Sequence, residues 1–168
     1  MKQTFFIMLV VALTAFSSCR KHTDTSPSNG GSWTIKGTTY YADSCTAPTS
    51  VPGAYDILAG LTPVNSNTIS TYSQLVITFG LPPVGNTSYN LVSDTTYSNS
   101  LDSNQAYLYV NIGGLTNPSM YQSITSGAVA VTLSPTGKIS ASATNILVQN
   151  SGPPYDTTRL TFNISQTN

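Results

Sequence analysis

Residues 128–141 read Ala-Val-Ala-Val-Thr-Leu-Ser-Pro-Thr-Gly-Lys-Ile-Ser-Ala, and this stretch decides the fold class. Val129, Val131 and Leu133 alternate with Ala128, Ala130 and Thr132. Side chains flip at every residue of a strand, so a period of two places the larger apolar groups on one face. Ser134-Pro135-Thr136-Gly137 follows, with proline presetting a turn and glycine taking its left-handed corner. The spacing predicts a hairpin joining 128–133 to 138–148. The same alternation extends outward in both directions. Leu160, Phe162 and Ile164 repeat it, as do Leu108, Val110 and Ile112, and Leu75, Ile77 and Phe79. Near the start, Trp33 and Ile35 alternate with Thr34 and Lys36, and Tyr41 continues the Trp33 face. No window carries a helical stripe.

Pro82-Pro83-Val84-Gly85-Asn86, Gly113-Gly114, Asn117-Pro118 and Ser151-Gly152-Pro153-Pro154 punctuate these runs as turns. Short strands with short connections imply antiparallel pairing. The expected fold is all-β, an antiparallel β-sandwich or flattened barrel of about eight or nine strands, formed by one domain over 32–168. Residues 42–53 and 94–105 are expected to be its long loops.

Composition agrees. Ser, Thr and Asn supply 23, 25 and 13 of the 168 residues, and there is no Glu. Their short polar side chains compete for the backbone and disfavour helix. Charged residues make up 7% and the formal net charge is zero, against about 25% charged in ordinary domains. Six scattered cations give no electrostatic footprint for nucleic acid.

The first residues read as an address. Lys2 precedes an uncharged, mostly apolar stretch from Phe5 to Ala15, and Phe16-Ser17-Ser18-Cys19 follows directly. That stretch is shorter than the about 20 residues a membrane-spanning helix needs. The pattern resembles a bacterial lipobox, although Phe16 stands where Leu is usual. Residues 1–18 are then a lipoprotein signal peptide, and Cys19 is the acylated residue. Two or more acyl chains hold a protein stably at a membrane surface. The alternative is an ordinary signal peptide, with Cys19 paired to Cys45. Residues 19–31 read as a flexible tether, with a reach of about 20 Å for its twelve residues after the Cys. Arg20 and Lys21 stand where surface-exported lipoproteins often carry acids, so a periplasm-facing outer-membrane location is favoured over the cell surface.

Together, the lipobox, the tether and W-T-I-K-G-T-T-Y-Y-A at 33–42, with G-A-V-A-V-T-L-S-P-T-G-K-I-S-A-S at 127–142, carry a resemblance. The chain is similar to small Bacteroidota lipoproteins with a single β-rich domain. Ala141 stands where those proteins often have glycine. The resemblance implies a β-rich envelope domain, but no activity and no catalytic residues.

The inventory for catalysis is thin. His22 is the one histidine and lies in the tether, so a Ser-His-Asp or Cys-His arrangement cannot be built in the domain. His and Cys are too few for a usual zinc site, and neither a metal nor a cofactor is expected. Asp94 and Asp102 flank one polar loop and are the best-placed carboxylate pair for glycoside hydrolysis, although Asp also favours turns for its own backbone bonding. Asp102-Ser103-Asn104 supplies the first third of a calcium-loop spacing and lacks the rest. Cys45 is expected to be a small buried hydrophobe. If Leu108, Val110 and Ile112 face the core, Tyr107 and Tyr109 point outward side by side. By the same parity Tyr40 points outward too. Exposed rings beside Asp and Asn suit sugar stacking, although paired tyrosines also stabilise sheets through cross-strand contacts. The expectation is a non-enzymatic, lipid-anchored binding or assembly domain whose partner is an envelope protein or a glycan. A surface glycan-binding module is the alternative, and an Asp-pair hydrolase a further one.

Overall fold

The structure is a computed structural model and describes residues 30–51, 54–60, 72–94, 100–113, 118–124 and 126–167. Cys19, His22 and the rest of the signal and tether up to residue 29 lie outside the described residues. The described chain is all-β, as the alternation indicates, and forms one mixed sheet of 11 strands. No helix among the described residues is long and apolar enough to cross a membrane.

The strands are β1 (Gly31–Ile35), β2 (Thr38–Tyr41), β3 (Ser44–Val51), β4 (Ala54–Gly60), β5 (Tyr72–Phe79), β6 (Thr87–Leu91), β7 (Gln105–Gly113), β8 (Ser119–Ser123), β9 (Ala128–Leu133), β10 (Ile139–Asn150) and β11 (Thr157–Ser165). Their order is β2-β1-β11-β10-β9-β6-β7-β5-β4-β3, with β8 bridging β10 and β7. The pairings β6–β7–β8–β10–β9–β6 therefore close a ring of hydrogen-bonded strands.

The hairpin at 128–148 forms as its sequence dictates. Ile139 pairs with Leu133, and the turn is closed by Gly137 N donating to Ser134 O at 2.9 Å. β10 then carries a bulge. Its register moves from Ala143↔Phe162 to Ile146↔Leu160, and Asn145 adopts a left-handed φ of 57°. Thr161 and Arg159 stitch the bulge to β11 through Asn145 N and O, at 2.9 and 3.0 Å. A bulge bends and twists its strand. Before it β10 pairs with β9, and beyond it with β8.

Trp33, Ile35, Leu75, Ile77, Phe79, Leu108, Val110, Val129, Val131, Leu160, Phe162 and Ile164 are all buried in one core. Ile112 and Leu133 are half-buried against it.

Four expectations are corrected. Among the described residues there are eleven strands rather than eight or nine. Residues 42–53 are not a loop, because β3 occupies most of that span and pairs with β4. Its alternation is hidden by Ala47-Pro48, where the register shifts between Thr46 and Thr49. Proline is tolerated there because it falls at the irregularity, where the ladder with β4 is already interrupted. The pairing is not wholly antiparallel, since β6 and β7 run parallel with Leu91↔Ala106. The connection over 92–104 is long enough for that crossover. Finally, Tyr41 does not continue the Trp33 face. β1 and β2 are joined by a two-residue turn in which Lys36 and Gly37 have φ of 50° and 75°, the geometry of tight hairpins. Chain reversal makes Tyr40 the cross-strand partner of Trp33.

Candidate functional site

The tyrosines expected at a surface platform are placed differently by the ladder. Tyr40, opposite Trp33, lies on the same side of the sheet. The two rings stack at a centroid distance of 6.1 Å and an interplanar angle of 16°. Tyr40 is thus half-buried against the core rather than outward, and burial raises its phenol pKa.

Tyr107 and Tyr109 do sit side by side, with centroids 6.2 Å apart and rings tilted by 42°. They do not form an open pair. Tyr107 is 4% exposed and Tyr109 half-buried. Tyr107 Oη donates to Gln122 Oε1 on β8 at 3.2 Å. Its cross-strand neighbour Thr78 is buried, as is Val76 opposite Tyr109. β5 and β7 are therefore buried on both faces. The sequence carries this signal in Leu75-Val76-Ile77, since an unbroken apolar run is how a strand covered on both sides reads.

Asp94 and Asp102 are both exposed. They lie on the same connection between β6 and β7, whose ends are held together by Asn90 N donating to Asn104 O and Val92 N to Ala106 O. Asp102 is built into a turn, with Gln105 N donating to its carbonyl and its own N–H donating to Gln105 Oε1. Both bonds use the backbone of Asp102 rather than its carboxylate. Among the described residues no group of three or more His, Cys, Asp or Glu is placed to hold a metal. Cys45 is free and fully buried, and burial pushes its thiol up to about 11. A buried thiol of that kind is inert.

The fold gathers one ionisable cluster that periodicity does not reveal. Lys36 comes from the β1–β2 turn, Tyr121 from β8, and Asp156 and Asn150 from the two sides of the β10–β11 turn. Lys36 Nζ donates to Tyr121 Oη at 2.6 Å and lies 2.9 Å from Asp156 Oδ2. Tyr121 Oη donates to Asp156 Oδ2 at 3.1 Å, and Asn150 Nδ2 donates to Asp156 Oδ1 at 3.1 Å. The Lys36 ammonium also stands 5.1 Å from the Tyr121 ring centroid, within cation–π reach. The Tyr121 hydrogen bond, then that of Asp156, raises the Lys36 pKa. The Lys36 and Asn150 hydrogen bonds lower that of Asp156. Each group is held more firmly in its charged form, so neither is poised to exchange a proton near neutral pH. The cluster is a tie between three segments at one end of the sheet.

The β10–β11 turn is bonded further. Asn150 N donates to Asp156 O at 2.8 Å, Ser151 N to Met120 O at 2.8 Å, and Tyr155 N to Gly152 O at 2.8 Å. Gly152 N donates to Asn150 Oδ1 at 3.2 Å, and Gln149 Nε2 to Tyr155 O at 3.1 Å. The turn presents Pro153, Pro154 and Tyr155 to solvent, with Tyr155 56% exposed. The chain matches no family model, no curated protein and no solved structure.

Proposed function

We propose that the chain is a bacterial envelope lipoprotein, anchored at the outer membrane through acyl groups on Cys19, whose β-domain is a non-catalytic binding or assembly module. The address rests on the short apolar stretch ending at Phe16-Ser17-Ser18-Cys19. The observation that carries the non-catalytic part is the mutual pairing of Lys36, Tyr121 and Asp156. These groups stabilise one another's charged or bonded state and bind three turns and strands together, which is a structural use.

Metabolic labelling with a radiolabelled fatty acid, followed by membrane fractionation, tests the anchor. The native chain takes up label and pellets with the outer membrane, whereas Cys19→Ala does neither. Label retained in Cys19→Ala, or a native chain recovered soluble and unlabelled, rejects the reading. Protease shaving of intact cells then separates the two orientations. Protection until the outer membrane is opened supports the inward one suggested by Arg20 and Lys21.

The second reading, a glycan-binding module, loses Tyr107 and Tyr40 as an open platform. Among the described residues it retains Tyr155, whose ring is exposed.

A further inference from the structure

We infer that the β10–β11 turn is the domain's ligand-binding tip, with Tyr155 as a stacking platform for one ring of a neutral glycan. This rests on the proposal that the domain is a binding module. Tyr155 adopts a left-handed φ of 58°, a conformation that strains a residue bearing a bulky side chain and that glycine adopts freely. Such strain persists where the surroundings over-determine it. Here they do. The Tyr155 N–H is held by Gly152 and its carbonyl by Gln149, while Asp156 next to it is held by Lys36, Tyr121 and Asn150. The result is an exposed aromatic ring on a backbone fixed in advance, beside two exposed prolines. A backbone held this way loses little freedom on binding.

Three further observations choose the ligand. A single exposed ring on a six-residue turn matches one pyranose face, and is small against the roughly 800 Å² per partner of a stable protein interface. Lys36 and Asp156 pair with each other, so the tip bears no net charge and offers nothing to an acidic or basic partner. The Lys36–Asp156 pair and Gln149 retain partial exposure and supply donors and acceptors for hydroxyl groups. Position agrees as well. The chain enters at Gly31, which pairs with Ile164 at the far end of β11 from this turn. At about 3.3 Å per residue, the nine residues of β11 hold the tip about 30 Å from that entry.

The test is affinity electrophoresis of the full acylated chain in detergent, through gels containing a soluble mixed-linkage β-glucan, a xyloglucan or a dextran. Tyr155→Phe keeps the ring, and Tyr155→Gly removes it while accepting the backbone conformation. The expected result is retardation of the native chain and of Tyr155→Phe in at least one gel. Binding falls at least tenfold in Tyr155→Gly, whose melting temperature is unchanged or higher. Equal retardation of Tyr155→Gly, or free migration of the native chain in all three gels, overturns the assignment. Capture of a protein through a photocrosslinker at position 155, without retardation in any gel, overturns it in favour of a protein interface. Membrane fractionation of the same preparations keeps the two readings apart. An anchored chain that ignores all three glycans defeats the tip alone, and a retarded chain that is never acylated defeats the anchor alone.

Discussion

Trp33 on β1 donates its indole Nε1–H to the Ser73 hydroxyl on β5 at 2.9 Å, and both side chains are buried. β1 and β5 are not ladder neighbours, so this bond ties distant parts of the strand order across the core. Ser73→Ala strands a buried donor, at a cost of about 1–3 kcal/mol. Urea denaturation of Ser73→Ala, Trp33→Phe and the double variant checks this. The double variant is expected to lose less than the sum, because it removes both partners.

Tyr107→Ala lowers the melting temperature clearly. Truncating a buried aromatic side chain costs about 3–5 kcal/mol, and Tyr107 is buried against Thr78 and Tyr109. Tyr107→Phe gives up one hydrogen bond to Gln122, worth about 1 kcal/mol. Calorimetry showing no change in Tyr107→Ala would place the ring on the surface after all.

Much of the fold was legible in the sequence, because alternation survives wherever a strand has one wet face. The strands around Trp33, Val129 and Phe162 announce themselves in that way. β3 and β4 stayed hidden, because Ala47-Pro48 breaks the alternation of one and Pro52-Gly53 separates them like a loop. The misplacement of Tyr40 has a simpler cause. Parity counted along one chain inverts once Lys36 and Gly37 reverse it, and cross-strand partners share a face. The Lys36–Tyr121–Asp156 tie was not legible, because its members lie 85 and 120 residues from Lys36. Nothing local marks any of them. The strained Tyr155 was equally silent, since left-handed backbone is seldom written in a tyrosine.

Stability as a function of pH follows from the same tie. The Asp156 pKa is lowered by folding, so its contribution is present above the ordinary carboxylate pKa of about 3.9. That contribution is lost as pH falls through the lower folded value. The Lys36 pKa is raised, so its contribution is complete below about 10.4 and is lost at more alkaline pH. Cys45, Tyr40 and Tyr55, also raised by burial, lose stability on the alkaline side as well. Denaturation midpoints measured from pH 2 to 11 should show a plateau with losses at both ends. Asp156→Asn flattens the acid limb. Lys36→Met flattens the alkaline limb only in part, because the buried thiol and phenols remain.

Gly31→Ala is expected to be severely destabilising, and Gly137→Ala mild. Both glycines have positive φ, 98° and 78°. A methyl group at Gly31 would run into the Asn163 carbonyl and the Ile164 backbone, whereas one at Gly137 meets nothing within 4 Å. Gly137→Ala bears the left-handed cost alone, about 1–2 kcal/mol. Parallel melting curves that fail to separate the two variants would argue against the close approach of β1 to β11.

In a Cys19→Ala chain, Cys45 is the remaining thiol of the two in the sequence. It should resist alkylation by iodoacetamide at pH 8 in the native state and react fully in urea. Rapid native labelling would contradict its burial.

The pairing of β1 with β11 has a consequence for the order of events during synthesis. Gly31 meets Ile164 and Ile35 meets Leu160, so the first strand made among those described waits for the last. Until residues 157–165 have been made, β1 has β2 alone as a ladder partner among the described strands, and the ring through β8 cannot close before β10 exists. Pairings between such distant residues form slowly and leave early strands exposed to wrong partners. The β1–β2 hairpin has strands of five and four residues, and so short an edge limits pairing with strangers until the closing strand arrives.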